Sequence, residues 1–219
     1  MTVGGNLRNG GQLLVDSLLA NGADMAFCVP GESYLTTLDA LHDAPEIDLL
    51  TCRQEGGAAM MADAYGKLTG RPGLCFVTRG PGATNASSGV HVAFQDSVPM
   101  ILLVGQVGRS MRDREAFQEV DYRRMFGQMT KWVAEIDMAE RVPEYINRAY
   151  HTAMAGRPGP VVLALPEDMQ DDRAPSIPLN TAHRVEAAPS VEAMTDFRAR
   201  LDGAERPLVI LGGNFWTQA

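Results

Sequence analysis

Two stretches of this sequence carry residue types whose spacing could do chemistry. Glu55 stands three residues after the end of a strand-like run, Asp48 to Cys52, and just ahead of the apolar stretch Ala58-Ala-Met-Met-Ala62. A carboxyl group placed there can share or donate a proton to a ligand. The helix dipole alone also favours an acid in a first turn, and position does not choose between the two. The second stretch, Gly80-Pro-Gly-Ala-Thr-Asn85, runs directly into a helical pattern. Its glycines let the backbone approach a ligand closely, and its N–H groups could face an anion or a polar ring. A tight turn with Thr84 or Asn85 near the helix start would explain the same letters. A nicotinamide-type pocket fits poorly, because the G-x-G-x-x-G pattern is absent and Pro81 fills the variable position of the one G-x-G.

The elements that must hold these loops follow from the apolar periodicity. Short apolar runs at Met25 to Val29, Asp48 to Cys52, Leu74 to Thr78, Met100 to Val104 and Val161 to Leu165, with a weaker one at Trp132 to Ile136, read as strands. Between them, Leu35 to Leu41, Glu55 to Thr69, Ala83 to Gln95 and Arg141 to Ala155 have helical spacing, and Gln12 to Ala20 forms a helix ahead of the first strand. Continuous apolar strands separated by helices predict an α/β, doubly wound fold: a six-stranded, mainly parallel sheet with helices on both faces. In such a sheet, ligands gather at the carboxyl ends of the strands. Pro30-Gly-Glu-Ser33, Arg53-Gln-Glu55, Thr78 to Asn85 and Gly105-Gln-Val-Gly108 all fall there.

Composition narrows the class. With 219 residues, 45% hydrophobic and 21% charged, the chain is an ordinary globular one. A net charge of -8 argues against a broad nucleic-acid footprint, so no nucleic-acid partner is expected. No apolar run approaches the roughly 20 residues that span a bilayer, so no membrane segment is expected, and the N-terminus lacks the pattern of a secretory signal. Cys28, Cys52 and Cys75 lie in or at the end of apolar runs without close pairing, which suggests a reducing compartment and a cytoplasmic location. His42, His91, His151 and His183 are scattered, and no metal site is expected in this chain. After Leu165, prolines punctuate a polar stretch, so one domain is expected over residues 1–173 and a linker over 174–190. Residues 191–219, with a helical pattern at Val191 to Leu201 and a strand-and-turn pattern at Pro207 to Gly213, read as the truncated start of a central α/β domain in a longer polypeptide.

Eight short motifs occur in order: Val29-Pro-Gly-Glu32, Arg53-Gln-Glu-Gly-Gly-Ala-Ala59, Ala62-Asp-Ala-Tyr-Gly66, Thr69-Gly-Arg-Pro-Gly73, Gly80-Pro-Gly-Ala-Thr-Asn85, Asp96-Ser-Val-Pro99, Ala116-Phe-Gln-Glu119 and Gly156-Arg-Pro-Gly-Pro-Val161. Together they resemble the N-terminal, pyrimidine-binding domain of acetolactate synthase-like thiamine-diphosphate enzymes, over about residues 11 to 170. The resemblance implies that Glu55 is the catalytic carboxyl, hydrogen-bonding N1′ of the aminopyrimidine and favouring the imino tautomer whose 4′ nitrogen takes the C2 proton of the thiazolium. It implies that Pro30, Gly31, Pro81 and Asn85 line the cofactor pocket with Glu55, and that Phe117 and Gln118 reach the substrate side. The implied substrate is a 2-keto acid, decarboxylated and joined to a second carbonyl compound.

The same resemblance places the diphosphate and Mg2+ site in a C-terminal domain absent from this chain, so the fragment alone is expected to be inactive. It also implies a homodimer or homotetramer, with the cofactor at a subunit interface. FAD stays open, since the family's flavin site lies mainly in the central domain. The sequence departs from typical acetolactate synthases at Glu32 and Ser33, which replace small residues, and at Gly56, where many members carry glutamine. Simple decarboxylation, acyl transfer and a non-catalytic binding domain of the same fold therefore stand as alternatives.

Overall fold

The computed structural model describes residues 7–185 and 187–212. Six strands form one sheet: β2 (Met25–Cys28), β3 (Asp48–Thr51), β4 (Gly73–Val77), β5 (Met100–Gln106), β6 (Trp132–Glu135) and β7 (Pro160–Pro166). Their order is β3-β2-β4-β5-β7-β6 and every pairing is parallel, as the alternation of apolar runs and helices predicts. All seven residues of β5 and all seven of β7 are buried, which is why neither shows a polar face in sequence.

The pleat sorts side chains to two cores. Ile101 and Leu103 of β5 join one apolar cluster with α1 (Gly10–Ala20), α2 (Leu35–His42) and α6 (Val142–Met154). Met100, Leu102 and Val104 join the other, with α3 (Glu55–Thr69), α4 (Pro81–Gln95) and α5 (Tyr122–Phe126). Helices therefore cover both faces. Local signals fix their starts. Asn9 and Gln12 form a reciprocal capping box at α1, and the Gln54 side chain accepts the Gly57 N–H at 2.8 Å to cap α3.

The chain leaves β2 toward β3 on one side and leaves β4 toward β5 on the other. The strand order therefore reverses between β2 and β4, and the crevice beyond their carboxyl ends is the switch point of the sheet.

Three features differ from the sequence-based expectation. A small antiparallel pair joins β1 (Leu7–Asn9) to β8 (Arg173–Pro175), two three-residue segments that no local pattern marks. The stretch expected as a linker begins inside this pair. It is then tied back to the end of α1, where Thr181 Oγ1 donates to the Ala20 carbonyl at 2.9 Å and the Ala182 N–H to Asn21 Oδ1 at 2.8 Å. Beyond it α8 (Val191–Asp202) forms where the periodicity predicts a helix. The expected strand at Pro207 to Gly213 does not form over residues 207–212: Leu208 and Ile210 are each 85% exposed, and among the described residues no strand edge lies beside them to pair with. The rest of that segment, 213–219, lies outside the described residues, as do residues 1–6.

Candidate active site

Glu55 is the first residue of α3, lifted to the carboxyl edge of the sheet by β3 and half-buried there. Its Oε2 accepts a hydrogen bond from Asn85 Nδ2 at 2.9 Å, across from the first turns of α4. Its Oε1 accepts none among the described residues and lies 3.6 Å from the point where a side chain on Gly82 would begin. One carboxylate oxygen is thus fixed by the protein, while the other lies beside the Gly82 backbone with no donor among the described residues.

The loops around this carboxylate are tied together by close approaches of glycine backbone to one side chain. A Cβ on Gly31 would lie 2.4 Å from Thr78 Cβ, and one on Gly82 would lie 2.9 Å from Thr78 Cγ2. The Pro30-Gly31 loop after β2 and the first turn of α4 therefore both abut Thr78, which follows β4. Gly80 takes φ +62° and donates its N–H to the buried Tyr122 hydroxyl at 2.9 Å. An L-residue there would be strained and would also strike Gln118, whose Cβ lies 2.8 Å from the built position. Burial pushes the Tyr122 phenol up to about 12, so it stays protonated at neutral pH. Gly56 is explained by packing, since a Cβ there would meet Gln54 Oε1 at 2.8 Å and the Asn85 carbonyl at 3.2 Å.

Phe117 and Gln118 reach the same edge through the long segment after β5. Arg79 Nε donates to the Phe117 carbonyl at 3.1 Å and its Nη1 to Glu167 at 3.0 Å, while Gln118 sits at φ +64° against Gly80. Phe117 is 76% exposed, so its ring is presented to the surroundings and is not part of the core. Glu55, Gly31, Pro81, Asn85 and Gln118 thus converge around the β2/β4 crevice, with Pro30 and Pro81 exposed on its rim.

Sequence reasoning did not single out Thr78, Arg79, Gln170 or Tyr122 as site residues. Thr78 and Arg79 lie inside the loop already marked by its glycines, whereas Tyr122 lies 42 residues from its partner Gly80 and had no local signal. Among the described residues, no group of three or more His, Cys, Asp or Glu could hold a metal ion, and no helix is long and apolar enough to cross a membrane.

The fold defines an α/β domain with a carboxyl group at a helix start beside the switch point of a parallel sheet, the place where such sheets bind ligands. Residues 8–125, more than half of the chain, match the family described as thiamine pyrophosphate enzyme, N-terminal TPP binding domain. The chain is 35% identical over 210 residues to the acetolactate synthase large subunit of Lactococcus lactis, covering 94% of this chain and 36% of that protein. It is 36% identical over 205 residues to the acetolactate synthase isozyme 2 large subunit of Escherichia coli, covering 94% of this chain and 37% of the relative. Over 160 residues it is 38% identical to the mitochondrial acetolactate synthase catalytic subunit of Saccharomyces cerevisiae, covering 73% of this chain and 23% of the relative. The chain belongs to the thiamine pyrophosphate enzyme family, as an N-terminal cofactor-binding domain of the acetolactate synthase-like kind. It spans about a third or less of the length of these relatives.

Proposed function

We propose that this domain holds the aminopyrimidine half of thiamine diphosphate in a longer enzyme that decarboxylates a 2-keto acid and joins the product to a second carbonyl compound. The observation that carries this reading is the divided role of the Glu55 carboxylate, with Oε2 bound by Asn85 and Oε1 open beside Gly82. A ring with a protonatable nitrogen supplies the donor that this second oxygen lacks.

When bound, thiamine diphosphate supplies a carbanion equivalent for breaking and making bonds next to a carbonyl. The chain's own residues hold and orient the group. Glu55 Oε1 gives or takes a proton at the ring edge, and Asn85 keeps the carboxylate from turning away. Gly31 and Gly82 let their loops pack closely on Thr78, while Pro30 and Pro81 form a rim that exposes no backbone N–H of their own. Gln118 and Phe117 stand at the side from which a substrate would arrive.

Other parts of the reading rest on family likeness and chemistry. The diphosphate and its Mg2+ would be held by a later domain, so this chain alone would not turn over. The relatives' greater length supports that division. The open groups at the crevice are those a neighbouring subunit would complete in a homodimer or homotetramer. The exposed Leu50, Met60 and Met61 on β3 and α3 favour such burial. Free Cys28, Cys52 and Cys75 fit a reducing cytoplasm. FAD would depend on the central domain.

The test is turnover by the full-length enzyme with thiamine diphosphate, Mg2+ and pyruvate, scored for carbon dioxide and acetolactate. Both products support the proposal. Carbon dioxide without acetolactate would make it a decarboxylase, and no turnover on a panel of 2-keto acids and acyl-CoA substrates would make it a binding domain.

A further inference from the structure

Ser33 is fully buried, although it follows an exposed Glu32 in the loop after β2. A hydroxyl taken out of water needs partners, and Ser33 Oγ has two: Thr78 Oγ1 at 2.9 Å and the backbone N–H of Arg79 at 3.2 Å. It is wedged against β5, where a Cβ on Gly105 would fall 1.9 Å from Ser33 Oγ. The Ser33 carbonyl is held as well, accepting from Gln170 Nε2 at 3.0 Å. Gln170 is itself buried, donating also to the Leu165 carbonyl and accepting from Thr37 Oγ1 at 2.7 Å. Thr78 is the residue that both Gly31 and Gly82 abut. The hydrogen bond between the two hydroxyls therefore crosses the switch point, joining the loop after β2 to the loop after β4 where the sheet itself leaves them free to diverge.

We propose that Ser33 and Thr78 are positioning residues, a hydroxyl latch that fixes the width of the crevice between the Gly31 and Gly82 walls before the cofactor arrives. This rests on the thiamine diphosphate reading above. Neither hydroxyl touches the ligand. Their effect is to hold the binding-competent crevice as the main population, so that less binding energy is spent on assembling it. Ser33→Ala removes both bonds of the Ser33 hydroxyl, to Thr78 Oγ1 and from the Arg79 N–H. Thr78→Val keeps the shape and removes only the hydroxyl.

The experiment is a double-mutant cycle in the full-length enzyme, titrating thiamine diphosphate with Mg2+ by calorimetry and recording the melting temperature of each cofactor-free variant. Thr78→Val is expected to raise the cofactor Kd roughly two- to fivefold and Ser33→Ala at least as much, because the loss of about one neutral hydrogen bond acts only through the population of a crevice that is already the main form. The double variant should be no worse than the weaker single, because both remove the same bond. Thr78→Ser restores the hydroxyl and should stay within about twofold of wild type. Additive losses in the cycle, or lower melting temperatures with unchanged Kd, would overturn the latch. If Ser33→Ala fails to fold, Thr78→Val against Thr78→Ser decides, a Kd equal for the two being the negative result. A wild-type enzyme that binds no thiamine diphosphate would overturn the functional reading and the latch with it, whereas a wild type that binds and variants that match it sink the latch alone.

Discussion

Replacing Tyr122 by phenylalanine removes a single oxygen and is expected to loosen the turn that carries Gly80. The ring keeps its neighbour, Phe126, at 6.2 Å, so the packing change is small. The Gly80 N–H, now 2.9 Å from the phenol oxygen inside the protein, loses its only acceptor. No rearrangement supplies another, because Gly80 is already at φ +62° and Pro81 after it restricts the same residue. A buried donor left unpaired costs about 1–3 kcal/mol. For a domain of this size that converts to a fall of roughly 2–12 °C in melting temperature.

The pH dependence reads the burial of the same phenol, which outweighs the opposing effect of the Gly80 N–H on its pKa. Burial raises the Tyr122 pKa in the folded state to about 12, above the unfolded value of about 10. The stabilisation that comes with the protonated phenol is complete below pH 10 and is lost as the pH climbs through about 12. The stability gap between wild type and Y122F should therefore narrow on alkaline titration. Tyr65, also raised to about 12, contributes equally to both proteins and cancels. Thermal unfolding by circular dichroism from pH 7 to 11 measures it. A melting temperature within 1 °C of wild type at pH 7, or a gap that widens with pH, refutes the reasoning (a ~1 kcal/mol loss already shifts it by more).

Glu55→Gln keeps an oxygen to accept from Asn85 but replaces the open Oε1 by a donor that cannot exchange a proton, so melting should be unchanged while C2 deuterium exchange of bound cofactor slows by about 10²- to 10⁴-fold. Unchanged exchange would remove Glu55 from its role. Lys67 bridges the buried Asp63 at 2.8 Å and Asp96 at 2.7 Å. Lys67→Met should therefore cost about 3 kcal/mol by leaving a buried carboxylate unpaired, and Asp63→Asn distinctly less, both read by urea denaturation. Asp24 accepts from Tyr65 and Arg71, which hold its carboxyl below the usual range. Because that pair is half exposed, Asp24→Asn should cost under about 1 kcal/mol at neutral pH. The contribution of a lowered carboxyl is present above its unfolded pKa of about 3.9 and is lost as the pH falls through the lower folded value, so the gap in melting temperature should begin to close below about pH 4 and go on closing with further acid; a constant gap would count against the network.

The sheet was legible because parallel strands covered on both faces must be apolar along their whole length, and β4, β5 and β7 are buried at every position. β6 gave a weaker signal for a physical reason: it is an edge strand, paired only with β7, and Trp132 and Val133 are half-buried. α5 and α7 (Glu167–Asp171) are five residues each, too short for a helical period to repeat, and β1 and β8 owe their pairing to a partner more than 160 residues away. Glu55, Gly31, Pro81 and Asn85 were legible through their motifs. The Ser33–Thr78 bond was not, since it joins residues 45 apart and depends on burial that only the folded sheet creates.

The three departures from the typical acetolactate synthase pattern now separate by cause. Gly56 sits in close contact with the Gln54 side chain and the Asn85 carbonyl, and Ser33 is consumed by its bonds to Thr78 and Arg79. Both are settled inside the protein, where a ligand cannot read them. Glu32 differs. It is exposed, has no hydrogen bond or ion pair among the described residues, and lines a groove with Glu167, Asp168 and Asp171 at the carboxyl edge. A bond inside the protein cannot account for Glu32, and its acidic side chain joins a rim where Glu167 is paired with Arg79 and Asp168 with Arg109, so it disfavours an approaching anion more than a small residue in its place would. Of the three departures, Glu32 alone stands where an approaching molecule can meet it, on the rim outside the loops that carry Glu55 and Asn85.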